Sequence, residues 1–66
     1  MKLKSIKVGR TYVTPNGGQR RLERIERKDG RYHAGYVPID RKGNEGTLRW
    51  VKLESFANEV LAESIS

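Results

Sequence analysis

Thr47-Leu48-Arg49-Trp50-Val51-Lys52-Leu53-Glu54-Ser55-Phe56-Ala57-Asn58-Glu59-Val60-Leu61 changes its period in the middle, and that change decides the fold. Up to Lys52 the residues alternate, Leu48 and Trp50 on one side, Thr47, Arg49 and Val51 on the other, as in a strand. From Leu53 onward the apolar residues Leu53, Phe56, Ala57, Val60 and Leu61 follow an i, i+3, i+4, i+7, i+8 stripe, with Glu54, Asn58, Glu59 and Glu63 off it. A strand over 47–52 is therefore expected to run directly into one amphipathic helix over 53–63. Glu54 suits the positive start of that helix, whereas Glu63 opposes its negative end, so the last residues are expected to fray.

Turn chemistry divides the chain upstream. The stretch 8–14, Val-Gly-Arg-Thr-Tyr-Val-Thr, is rich in β-branched and aromatic residues and stops at Pro15-Asn16-Gly17-Gly18. It reads as strand one, starting as early as Ile6, with Gly9 as a bulge or kink. Residues 19–27 read as strand two, although its apolar members Leu22 and Ile25 are three apart instead of two. A bulge near Glu23-Arg24 accounts for that spacing. Lys28-Asp29-Gly30 is a tight hairpin signal. Strand three follows over 31–39, with a bend expected at Gly35 and an edge or end position at Pro38. The polar loop 40–46 leads to the last strand.

Sixty-six residues make one domain near the lower limit for folding without staples. Cysteine is absent, and a single His33 rules out the common His-cluster zinc sites. The longest apolar run is three residues, Val60-Leu61-Ala62, so no transmembrane helix is expected. No apolar stretch follows the charged start, so no secretory leader is expected either. The expectation is a soluble, cytoplasmic protein without membrane contact. The core must come from Ile6, Val8, Tyr12, Leu22, Ile25, Ala34, Val37, Leu48, Trp50, Leu53, Phe56, Val60 and Leu61. Leu22, Ile25, Trp50 and Phe56 are expected to be among the most buried. Net stability should be modest, on the order of a few kcal/mol.

Four or five short antiparallel strands with tight turns, closed by one C-terminal helix, make a mainly β domain laid out as an SH3-like barrel. The segments Val8-Gly9-Arg10-Thr11-Tyr12, Arg21-Leu22-Glu23-Arg24-Ile25 and Trp50-Val51-Lys52-Leu53-Glu54-Ser55-Phe56-Ala57 resemble the small SH3-like barrel proteins of bacteriophage and prophage. The resemblance spans about residues 6–62 and implies a barrel fold and a mobile-element origin. Gly17-Gly18 followed by Leu22 and Ile25 is also similar to the KOW-type barrels that bind RNA or protein. Tudor-type barrels hold methylated side chains in an aromatic cage. Tyr12, Tyr32, Tyr36, Trp50 and Phe56 would suffice for one, but a core this small has prior use for most of them.

Function is read from charge. All fourteen Lys and Arg lie at or before Lys52, and only Glu23, Glu26, Asp29, Asp40 and Glu45 accompany them, giving residues 1–53 a formal 14 − 5 = +9. The last thirteen residues carry −3 through Glu54, Glu59 and Glu63. The basic set comprises Arg10, Arg20, Arg21, Arg24, Arg27, Lys28, Arg31, Arg41, Lys42, Arg49 and Lys52, with Tyr12, Tyr32 and Tyr36 interleaved. Guanidinium groups clamp phosphates and exposed aromatics stack bases, and the pI near 10.1 agrees. Candidate nucleic-acid contacts are Arg10, Arg20, Arg24, Lys28, Tyr32, Tyr36, Arg41, Lys42 and Arg49. The same run of charge also fits a solvated, salt-bridged strand face that keeps an edge from aggregating.

The competing class is a protein-interaction module, a phage-type accessory factor whose basic face meets an acidic protein surface. In that reading Val60, Leu61 and Ile65 form an apolar edge for a partner or for a weak homodimer, the alternative being a monomer. The acidic helix face is expected to point away from any phosphate-binding face. No enzymatic activity is expected. His33 has no nucleophile or orienting carboxylate in a supporting pattern. Asp40 and Glu45 lack the ligand density of a calcium loop, and 43–47 lacks the Lys-Ser/Thr of a phosphate loop. No catalytic residue, metal ligand or cofactor is therefore named.

Overall fold

In the computed structural model, residues 1–64 are described, and they form one antiparallel sheet of five strands with a single helix near the C-terminus. The strands are β1 (Thr11–Val13), β2 (Gln19–Lys28), β3 (Arg31–Ile39), β4 (Arg49–Lys52) and β5 (Ala62–Glu63), and helix α1 (Leu53–Glu59) joins the last two. Their order across the sheet is β4-β3-β2-β1-β5. The chain thus makes a meander of four strands and returns beside the first. This is the arrangement expected of a small SH3-like barrel, here open between β4 and β5.

The turns follow from their residues. Asp29 and Gly30 both have positive φ, 52° and 77°, the two-residue hairpin geometry that twists with the strands. Register slips between Leu22 and Arg24, so the bulge expected at Glu23-Arg24 is present. It returns Ile25 to the side of Leu22, because Leu22 lies opposite Tyr36 and Ile25 opposite Ala34. The three-residue spacing is therefore a strand with one extra residue. Strand one is shorter than expected. Gly9, at φ 89°, bends the chain and its N–H still donates to the Leu22 carbonyl at 2.8 Å, but regular pairing starts only at Thr11.

The helix is also shorter than its sequence stripe. α1 ends at Glu59, and residues 62–63, expected as its last turn, form β5. The free edge of β1 captures them: Leu61 N–H donates to the Val13 carbonyl and Ser64 N–H to that of Thr11, each at 2.8 Å. The Met1 ammonium donates to the Ala57 carbonyl at 2.8 Å, occupying a helix-end acceptor that no basic side chain reaches.

Ile6, Tyr12, Leu22, Ala34, Tyr36, Phe56, Ala57 and Val60 form the core, with Ile25, Val51 and Leu53 packed against it. Tyr12 meets Phe56 edge-on at 5.7 Å between ring centroids, and Tyr36 meets it at 5.6 Å. Leu22 and Phe56 are fully buried, as expected. Ile25 is only partly so. Trp50 is 38% exposed, and Val8, Leu48 and Leu61 are exposed as well, so the expected core was too large. On β4 it is Val51, opposite Ala34, that turns inward, and Trp50, opposite Gly35, that turns out. Val37 is half-buried.

Candidate nucleic-acid interface

Pleating and register sort the basic residues onto different surfaces. Opposite the core, the outer face of the sheet carries Arg24, Glu26 and Lys28 from β2, Arg31, His33 and Gly35 from β3, and Trp50 and Lys52 from β4. Arg24 and Trp50 are both register partners of Gly35, one on each side. Lys52 is the partner of His33, and Lys28 that of Arg31. Four cations and one carboxylate thus share this face with a half-exposed indole. The Lys28 ammonium lies over the Trp50 ring, 4.7 Å from its centroid. Arg24 reaches Glu26 only at 3.8 Å, leaving its guanidinium largely solvated.

Gly35 explains why the indole can lie there. A Cβ on Gly35 would fall 3.0 Å from Cη2 of Trp50 and 3.1 Å from both Cζ2 and Cζ3. Such near-equal distances mean that the ring lies flat on the glycine, since an edge-on ring would hold its flanking carbons well behind the leading one. Gly35 serves as a seat for the ring, where the sequence had suggested a bend.

The other end of the sheet is neutralised. Arg21 donates to Glu45 through one terminal nitrogen and to Glu23 through Nε, each at 2.7 Å. These bonds raise the Arg21 pKa above its usual value, and the bond from Arg21 holds the Glu45 carboxyl below its own. Arg10 pairs with Glu63 at 2.9 Å, a hydrogen bond that raises its pKa too. Arg20 pairs with Glu59 and lies over the Tyr36 ring. Arg41 donates from Nε to the Asn16 carbonyl at 2.8 Å, tying two loops together.

The expected contacts therefore separate. Arg24 and Lys28 lie on the outer face. Arg10, Arg20 and Arg41 are committed to partners within the fold, and Arg10 and Arg20 pair with Glu63 and Glu59 of the acidic C-terminal segment. Lys42 is exposed on the 40–46 loop and Arg49 at the start of β4, away from the Trp50 cluster. Tyr36 is a core residue, which removes it from the interface. Tyr32 is 55% exposed but belongs to the opposite pleat, beside a cleft of about 320 Å³ lined by Leu3, Arg31, Lys52, Leu53 and Glu54. Of the apolar edge, Val60 is buried in the core, Leu61 is 65% exposed, and Ile65 lies outside the described residues. With Tyr12, Tyr36 and Phe56 packed together inside, and Trp50 and Tyr32 on opposite pleats, the aromatics build no cage.

Sequence reasoning missed Trp50 and Gly35 as site residues. The available signal was a glycine in mid-strand with no turn to make, which points to a close approach. Among the described residues, no group of three His, Cys, Asp or Glu could hold a metal ion, and no helix is long and apolar enough to cross a membrane. Compared with known proteins, the chain matches no family model, no curated protein and no solved structure.

Proposed function

We propose that this chain is a small, non-enzymatic binding module whose outer sheet face contacts nucleic-acid phosphates without strong sequence readout. One observation carries the reading: Arg24, Lys28, Arg31 and Lys52 share one face with a half-exposed tryptophan, with Glu26 as the carboxylate on the same pleat. Phosphate neutralisation supplies most non-specific affinity, and it is what such a cluster provides. The sequence resemblance to phage-type barrels supports an accessory role in a cytoplasmic setting. The test is a salt titration with a generic oligonucleotide. Three or four phosphate contacts give log K against log salt a slope of about −2 to −4, and Arg24→Glu should weaken binding further. Failure to shift DNA or RNA at low salt and micromolar protein would discard the reading.

The second reading, a protein-interaction module, is favoured by Leu61, a large apolar side chain left exposed beside β5. It predicts that Leu61→Asp abolishes a homodimer or a protein complex while leaving the monomer folded. Sedimentation of the two proteins decides it.

A further inference from the structure

Resting on the nucleic-acid reading above, we infer that Trp50 is a base-stacking platform, and that this face therefore takes an unpaired strand in preference to a duplex. The indole lies flat on Gly35, so one ring face is held against the sheet and the other is directed outward. A ring seated this way keeps a fixed orientation without being enclosed, as a stacking surface must. A side chain at position 35 would lift it, because the added Cβ would lie 3.0–3.1 Å from three ring carbons.

Gly35 takes one side of the ring, and the Lys28 ammonium lies over the ring 4.7 Å from its centroid. Lys28 makes no ion pair among the described residues, so its cation is free to move from the ring to a phosphate. Arg24, across Gly35 from Trp50, and Lys52, two residues along β4, stand where phosphates flanking a stacked base would lie. A base exchanges its stacking on neighbouring bases for stacking on the indole, and Lys28 exchanges a π face for an anion. Bases inside a duplex have both faces occupied, so only an unpaired strand can make the first exchange.

The chain has one tryptophan, so its indole emission reports on this ring alone. The experiment titrates the whole chain with an oligothymidine single strand and with the same strand annealed to oligoadenosine, at low salt. The single strand should quench Trp50 emission saturably and bind about tenfold more tightly than the duplex, the order expected for one stacked base. Trp50→Leu, which keeps an apolar side chain on Gly35, should reduce single-strand affinity to the duplex level. Gly35→Ala, displacing the ring while keeping every charge, should do the same. Should either variant fail to fold, quenching of the wild-type chain and its dependence on strandedness remain as readouts. Equal affinity for both forms, or binding that leaves the emission unchanged, overturns the platform and leaves the phosphate-binding reading standing. No binding to either form overturns both.

Discussion

The Arg20 guanidinium lies over the Tyr36 ring, 4.6 Å from its centroid. Tyr36 is buried against Phe56, and Arg20 is held from its other side by Glu59. A half-buried cation–π contact of this kind contributes about 1–2 kcal/mol.

Arg20 and Arg24 should therefore respond in opposite ways. Arg20→Gln is expected to lower stability by about 1–2 kcal/mol and to leave oligonucleotide affinity nearly unchanged. Arg24→Gln, removing a solvated guanidinium with only a long contact to Glu26, should leave the melting point within a degree or two and weaken binding severalfold. Melting curves and binding isotherms on the two proteins check the contrast. A reversed pattern would place the binding surface at the other end of the sheet.

Trp50→Ala and Phe56→Ala make a second contrast, this time in stability. Phe56 is fully enclosed between Tyr12 and Tyr36, and its truncation should cost about 3–5 kcal/mol, enough to unfold a domain this small. Trp50 leaves much of its ring in water, so its truncation should cost about 1–2 kcal/mol. Chemical denaturation followed by far-ultraviolet circular dichroism ranks them. Equal losses would return Trp50 to the core.

The same contrast shows how far the sequence could be read. The bulge in β2, the Asp29-Gly30 hairpin and the burial of Leu22 and Phe56 were legible, because spacing and turn residues encode them locally. Alternation in β4 separated Trp50 from Val51 but could not say which faced inward, since that depends on what lies opposite. Ala34 opposite Val51 leaves room for the core to close, and Gly35 opposite Trp50 leaves room for a ring outside. The helix end was illegible for a similar reason. Ala62 and Glu63 continue a helical pattern, and only the unpaired edge of β1 makes a strand of them. Charge showed that a basic surface existed, but not that Arg10, Arg20 and Arg21 were committed to carboxylates.

Tyr12 offers a test of how the start of the chain is held. Its hydroxyl, carried on a fully buried side chain, accepts the Lys7 N–H at 2.8 Å and donates to the Ser5 carbonyl at 3.1 Å. Tyr12→Phe keeps the ring contacts with Phe56 and leaves the Lys7 N–H without that acceptor, at a cost of about 1–2 kcal/mol. Amide exchange at Lys7 should accelerate beyond what the global loss explains. An unchanged rate would show that the segment is held by the burial of Ile6 instead.

Acid should open the 40–46 loop before it unfolds the domain. The Asp40 carboxylate is held below its usual pKa, first by the Asn44 N–H, 2.9 Å away, and also by the Asn44 amide and the Lys42 N–H. Glu45 is lowered by its bond from Arg21. For a depressed carboxyl, the stabilisation is present above its unfolded-state pKa and is lost as pH falls through the folded-state value. The loop should thus be unaffected at neutral pH and loosen only below about pH 4. The Lys42 and Asn44 amide resonances should shift with that midpoint, and Asp40→Asn should abolish the transition. A midpoint at or above the usual carboxylate range would contradict the assignment.

Neutralising the acidic segment tests which surface binds. In the triple change Glu54→Gln, Glu59→Gln and Glu63→Gln, the formal charge rises from +6 to +9 and the pairs with Arg20 and Arg10 are lost. Solvent-exposed pairs contribute about 0–1 kcal/mol each, and Gln has nearly the helix propensity of Glu, so the fold should survive with a small drop in melting point. Arg10 and Arg20 lie at the other end of the sheet from Trp50, so their release should act on an oligonucleotide only through the long-range field. Glu54 shares a cleft with Arg31 and Lys52, so its neutralisation acts at short range: affinity should rise about two- to threefold at low salt, and only the share due to Glu59 and Glu63 should vanish at about 0.15 M, where charges beyond roughly 8 Å are screened. Quenching of Trp50 should be unchanged throughout. A triple variant that melts normally but changes oligomeric state or loses a protein partner would make the acidic segment itself the docking surface, and the protein-interaction reading would then replace the nucleic-acid one.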